Sequence, residues 1–402
     1  MTLVNQGTVP LIDSAVPLID SFAERNLILM RYEFYVGSYA ACDEDGIYKY
    51  TLDTDTLSFS RIWSYRGAEN PSYLLAHPAG KVLYSVEELH PEGRVAAYAI
   101  GGDGLSRISR FPSDGSDPCH LSMDDKAQFL FAANYSSGSV AVYRLDEDGK
   151  ILEMTDLKQH TGHSVDPERQ DRAHCHCSAF YGGCLFVCDL GEDRIAVYGL
   201  DRAGGKLLET DRSIAVPAGQ GPRHLVFDEK TDTLCVITEM GASLLTYQNV
   251  SPGKASAECA AYGNISPGRY ELKQLITALP EGVDPDLLET VAPRAVGAAI
   301  RKTKDGVAVS LRGLNAIAGF ALDENGNASL KGRCACGGKT PRDFAVFGDW
   351  MVSANQDSDS LTLLRAIDEG TNKGEDSKNA PVAAETIHCP VCVIPAVAER
   401  TD

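Results

Sequence analysis

The sequence contains no uninterrupted apolar stretch near the roughly 20 residues that a membrane-spanning helix needs, so a helical anchor is not expected. Basic residues are in short supply. Lys and Arg number 37 against 56 Asp and Glu, a formal net charge of −19. That balance argues against nucleic acid and anionic membranes as partners. Any anionic substrate must therefore meet a local cluster of arginines set against the field of the whole chain. Residues 1–30 lack the basic start and long apolar centre of a secretory signal, which predicts a cytoplasmic protein with reduced thiols. This segment reads as a poorly ordered N-terminal extension ahead of a single folded domain over 31–396. The twelve cysteines do not form a disulfide framework: Cys184, Cys188 and Cys235 stand inside apolar runs, where a thiol behaves as a small hydrophobe.

Several chemistries lack their signatures as well. There is no Gly-Lys-Ser/Thr phosphate loop and no dinucleotide fingerprint, so no cofactor is expected. The segment Asn134-Tyr135-Ser136-Ser137-Gly138 reads as a turn, not as a nucleophile elbow. His174-Cys175-His176-Cys177 is dense in metal-ligating types, but strand alternation sends the histidines to one face and the cysteines to the other. Cys389 and Cys392 have no matching second pair, so no metal is expected there either.

What the sequence does have is repetition, with a unit recurring roughly every 45 to 50 residues, the period of propeller-type folds. Each unit opens on a Pro- or His-marked turn: Asn70-Pro71-Ser72, Asp117-Pro118-Cys119-His120, His174-Cys175-His176, Gly221-Pro222-Arg223-His224, Pro293-Arg294 and Thr340-Pro341-Arg342. An apolar run follows, then a second ending in polar residues at Glu87-Glu88, Asn134, Asp189, Glu239, Arg312 and Asn355, then a third. The runs alternate apolar with polar residues and favour Val, Ile, Tyr and Phe, which predicts antiparallel strands, about four per unit. A four-stranded sheet cannot bury both faces alone, so the units should pack radially as the blades of a β-propeller.

The ends of the chain complete the count. Phe34–Tyr39, Gly46–Leu52 and Leu57–Trp63 supply strands with no opening before them, while Cys389–Pro395 supplies an opening and one strand with nothing after it. Joining the two makes a seventh blade and closes the ring, removing its free edges. The predicted fold is therefore all-β, a seven-bladed propeller whose N- and C-terminal strands pair. Three stretches fall outside the unit: Leu157–Arg172, the inserted connection Asn249–Glu289 with possible short helices at Leu272–Leu279 and Pro285–Thr290, and a mobile loop at Asp368–Glu385.

Gly221–Phe227, Ala133–Tyr143, Asp189–Tyr198 and Ser164–Gln170 resemble the corresponding motifs of the lactonase family, and the likeness runs from about Tyr32 to Ile394. The family comprises seven-bladed propellers that include a bacterial 6-phosphogluconolactonase and the fungal carboxymuconate cyclase. The resemblance implies a lactone hydrolase, with 6-phosphogluconolactone, a metabolite of the pentose phosphate pathway, as the leading substrate. A carboxymuconate-type cycloisomerase, another sugar lactonase and a non-catalytic ligand-binding propeller remain the alternatives.

The openings and second-strand ends should converge on the axis. Matching the family's constellation are His176, Arg223, Glu239 and Arg312 as catalytic candidates, with His174, Glu88, Arg294 and Arg342 as substrate-binding candidates. The residue types suit lactone opening: a base, His176 or Glu239, to activate water, and arginines for the developing oxyanion and an anionic substituent. His120 and His224 read as hydrogen-bonded packers between blades, and Glu87 as exposed. The expected partner is a small anionic lactone, and the expected state is a monomer.

Overall fold

A computed structural model describes residues 31–251, 268–367 and 380–396. The 1–30 extension and most of the 368–385 stretch lie outside the described residues. The chain forms seven antiparallel sheets of four strands, the fourth blade adding a two-residue strand, Ile214–Ala215. Blade one is the composite. Pro390–Pro395 pairs with Arg31–Ser38, followed outward by Asp45–Asp53 and Ser58–Arg66, with Val36 opposite Val393. The innermost strands of blades two to seven are Leu74–Ala76, Pro118–Met123, Cys175–Tyr181, Pro222–Asp228, Gly297–Thr303 and Pro341–Phe347. Each packs on the next, and the last packs on Pro390–Pro395, so the ring is closed.

Local chemistry sets the start of the inner strands. Asn70, Asp117, Gly221, Thr340 and Cys389 each adopt a left-handed φ of 40–63° immediately before a proline. The left-handed residue reverses the incoming chain, and Pro118, Pro222, Pro341 and Pro390 then occupy the strand-initial position, where no ladder donor is required. Between blades the apolar faces meet in seven clusters, one at each junction. Blades four and five meet through Phe186, Phe227 and Tyr270, with the Phe186 and Phe227 rings edge-on at 4.9 Å. Truncating one such ring to Ala costs about 3–5 kcal/mol.

Three expectations about the connections change. Leu272–Leu279 is not helical: Tyr270–Thr277 is the outer strand of blade five. An isolated helix of that length is marginal in water, whereas the open edge of Ser243–Asn249 offers a full ladder of hydrogen-bond partners. Pro285–Leu287 forms a single 3₁₀ turn. Ala383–Thr386, at the end of the stretch read as a mobile loop, is the outer strand of blade seven. No disulfide links the described cysteines, and no described helix is long and apolar enough to cross a membrane.

Candidate active site

One backbone hydrogen bond recurs in all seven blades and defines equivalent positions. The N–H of Tyr39, Glu88, Tyr135, Leu190, Glu239, Arg312 and Gln356 donates to the carbonyl of Cys389, Asn70, Asp117, His174, Gly221, Val296 and Thr340, respectively, at 2.8–3.1 Å. The donor residues form one layer around the channel. Two residues beyond each acceptor comes a second layer: Val391, Ser72, Cys119, His176, Arg223, Ala298 and Arg342. In blades three, four, five and seven this second-layer residue is the extra one of a β-bulge, because the pairing slips between Pro118 and His120, Cys175 and Cys177, Pro222 and His224, and Pro341 and Asp343. A bulge re-aims its side chain, and the same device serves Cys119, His176, Arg223 and Arg342.

These layers bring the four catalytic candidates together around Glu239. Its Oε2 accepts from Arg223 Nε at 2.8 Å and lies 2.9 Å from Arg312 Nη2. Its Oε1 accepts from Nη2 of Arg169. Glu239, Arg223, Arg312 and His176 are at most 5% exposed, so solvent screens none of these charges appreciably. Burial pushes the Glu239 carboxyl upward, but Arg312, Arg169 and Arg223 outweigh it and hold the pKa well below the carboxylate range. Burial also lowers Arg312, to about 10, with Glu239 opposing that shift; the guanidinium is still charged at neutral pH.

His176 is driven the other way. Burial and the Arg223 charge hold its pKa well below that of an ordinary histidine, so the imidazole is neutral. Its Nδ1 lies 3.8 Å from Cys119 Sγ, and its ring sits edge-on to Tyr135 and His224 at 5.5 and 5.3 Å. His224 packs between blades as expected, its ring 5.2–6.3 Å from those of His120, His176 and Tyr73 and its Nε2 3.2 Å from Arg223 Nη1. It lines the axial cavity with Arg223 and Arg342, and its buried Nδ1 has no partner. His120 fills the same packing role, accepting from Ser178 N–H at 3.4 Å and contacting Cys177 Sγ.

Across the cavity stand Glu88 and Arg342, with Ser72, Cys119 and Val391 between blades. Arg342 donates no hydrogen bond to a described residue; its guanidinium lies over the Tyr39 ring, 5.3 Å from the centroid. Glu88 accepts from the hydroxyls of Tyr39, at 2.9 Å, and Ser72.

Two candidates fall outside this arrangement. Arg294 is not the counterpart of Arg223, because the recurring hydrogen bond makes Val296 equivalent to Gly221 and Ala298 equivalent to Arg223. Arg294 lies ahead of the unit in the mouth loop, 3.2 Å from Asp286 and 4.0 Å from Asp166. His174 stands ahead of the strand Cys175–Tyr181, and the bulge at His176 interrupts the alternation expected to relate it to His176. Its ring stacks on Tyr135 at 4.5 Å, Nδ1 faces the Tyr135 carbonyl at 3.0 Å, and Nε2 lies 3.5 Å from Asp171. Glu87, read as exposed, is fully buried and paired with Arg110 and Arg94.

Arg169 does not stand out in the sequence as a site residue because it lies in a connection rather than a repeat, although it falls within the Ser164–Gln170 motif. Asp166 Oδ1 caps the N–H groups of Glu168 and Arg169 at 3.0 Å, and Gln170 Nε2 donates to the Leu190 carbonyl at 2.9 Å. The loop so folded also directs Arg169 Nη1 to the Pro293 carbonyl at 2.6 Å. His160, Cys175 and Asp189 have metal-ligating atoms within 4.8 Å of one another. Both His160 nitrogens are already engaged, Nδ1 with Asp189 at 2.7 Å and Nε2 with Tyr198 at 2.8 Å, so the group stands as a closed hydrogen-bonded cluster.

The arrangement is thus a closed propeller with an axial cavity lined by Arg223, Arg342, Glu88 and His224, and Arg223 joins that cavity to the buried cluster in which Glu239 gathers Arg169, Arg223 and Arg312. The sequence profile described as "Lactonase, 7-bladed beta-propeller" matches residues 33–394, and the chain belongs to that family. It is 31% identical over 346 residues to the 6-phosphogluconolactonase of Bacillus subtilis (strain 168), spanning 84% of this chain and 91% of that protein. Identity to the 6-phosphogluconolactonase of Formosa agariphila is 30% over 335 residues, 80% of this chain and 88% of that one. A crystal structure from Lactobacillus plantarum, 28% identical, covers 91% of this chain and 99% of its own with a TM-score of 0.76.

Proposed function

We propose that this chain hydrolyses a sugar-acid lactone, with 6-phosphogluconolactone as its substrate. The observation that carries the reading is a neutral, buried imidazole beside arginine donors that the protein leaves unspent. Arg223 is consumed by Glu239, the Ala298 carbonyl and His224. Arg312 keeps a buried Nε without a partner, and the whole Arg342 fork lacks hydrogen bonds to described residues. The names of the Bacillus and Formosa relatives support the phosphorylated substrate.

In this mechanism water adds to the lactone carbonyl carbon while His176 takes its proton. The oxyanion forms against Arg312, and collapse breaks the ring C–O bond. His176 then returns the proton to the departing alkoxide, leaving an open hydroxy acid. Glu239, deeply ionised and bound to three guanidinium groups, is a poor base; its role is to fix Arg169, Arg223 and Arg312. Arg342 takes the anionic substituent, where a planar fork suits phosphate. The test is proton release from freshly prepared 6-phosphogluconolactone, followed above its spontaneous hydrolysis. Acceleration by the purified chain is expected; a rate equal to the spontaneous one overturns the substrate assignment.

A further inference from the structure

We infer that Tyr39, Glu88 and Arg342 form a composite specificity subsite that admits ligands bearing hydroxyl groups next to an anionic group and rejects those bearing anionic groups alone. The inference rests on the lactonase reading and specifies how that site would choose among lactones.

Three observations carry it. First, Glu88 lines the cavity and forms no ion pair with a described residue, unlike Glu239. Its two oxygens accept only neutral donors, Tyr39 Oη and Ser72 Oγ. A carboxylate offers about four acceptor sites, so two remain for donors from a ligand. Second, Arg342 presents an uncommitted fork beside it. Third, Tyr39 holds both groups: its hydroxyl donates to Glu88 and its ring face carries Arg342. One residue therefore sets the spacing between a hydroxyl acceptor and an anion donor.

The chemistry follows from charge. A carboxylate facing a cavity attracts O–H donors and repels a second carboxylate or phosphate. A polyhydroxylated phosphate satisfies both halves of the subsite, whereas an unsaturated polycarboxylate places an anion against Glu88. Tyr39 escapes sequence reading because it follows Arg31–Ser38 in the composite blade, whose opening, Cys389-Pro390, lies at the other end of the chain. Its equivalence to Glu88 and Glu239 appears only in the recurring hydrogen bond.

Calorimetric binding of two stable probes, 6-phosphogluconate and inorganic phosphate, to the full chain and to Glu88→Gln, Tyr39→Phe and Arg342→Ala tests this. Glu88→Gln is expected to weaken 6-phosphogluconate by about 10- to 100-fold, the range for losing a charged hydrogen-bond acceptor, while phosphate binding holds or tightens. Tyr39→Phe, which keeps the ring, should move the probes in the same directions by less. Arg342→Ala should weaken both. Equal effects of Glu88→Gln on the two probes, or none, overturn the inference. Turnover of 6-phosphogluconolactone by the unmodified chain, measured alongside, reports on the lactonase reading separately.

Discussion

Glu239 organises the site because one buried carboxylate meets three guanidinium groups. Removing one partner from a buried ion pair costs about 3–5 kcal/mol, so the arginines hold one another in place through it. Arg223→Ala should lower turnover by roughly 10²- to 10³-fold, the scale seen when one oxyanion-stabilising or donor-orienting group is lost. Arg223→Lys should recover little, since an ammonium cannot reach Glu239, His224 and the Ala298 carbonyl together. Steady-state kinetics on both variants decide the point, and near-normal turnover by the Ala variant would remove Arg223 from the site. The histidines make a pH prediction. Burial depresses His176 and His224 well below 6.5 in the fold. Below that pH the unfolded chain binds protons that the folded chain refuses, so stability is complete above about 6.5 and is lost as pH falls. Activity through a neutral His176 should likewise be flat across neutrality and decline only in acid. A thermal melt and a kcat/KM profile check both, and a catalytic limb centred at or above 6.5 would contradict the assignment.

At the scale of elements, two devices place these side chains: the bulge that opens an inner strand and the loop between blades three and four. The loop is held at several points, with Ser164 Oγ and Gly221 N–H both donating to Asp193, at 2.6 and 2.7 Å. Asp193 thereby ties the loop carrying Arg169 to the turn carrying Arg223. Arg169→Ala should raise KM and lower kcat, because it frees one face of Glu239 and separates the loop from Pro293. Gly191 gives a test that touches no charged group. A Cβ there would lie 1.8 Å from the Arg172 carbonyl oxygen, so Gly191→Ala must displace the end of the loop. Overpacking of this kind costs about 1–3 kcal/mol. Lower thermal stability together with reduced activity is expected; unchanged activity would mean that the loop does not position Arg169 for turnover.

For the whole molecule, closure is the governing fact. Pro390–Pro395 is the innermost strand of blade one and packs on both neighbouring inner strands. A chain ending at His388 would leave Arg31–Ser38 with an open edge and remove one wall of the channel. It should fail to unfold as one cooperative unit and should associate through its free edges; melting and size-exclusion chromatography report both. A cooperative melt close to that of the intact chain would contradict this. Much of this architecture was legible in the sequence, since a repeat shows wherever similar residues recur: the number of blades, the split seventh blade and the meeting of His176, Arg223, Glu239 and Arg312 all follow from matched openings. The matching failed where the unit is degenerate. Val296-Gly297-Ala298 carries neither Pro nor a polar side chain, so Pro293-Arg294 takes its place when openings are matched by residue type. It also failed where function left the repeat, as at Arg169, and where alternation broke, as at His174. What the residues determined alone was a radial fold with a basic axial site, because side-chain period and turn chemistry are local properties. Which arginines reach Glu239, which remain free, and that Tyr39 joins Glu88 to Arg342 was decided only in three dimensions, because bulges and loops re-aim side chains by displacements that no spacing in the chain records.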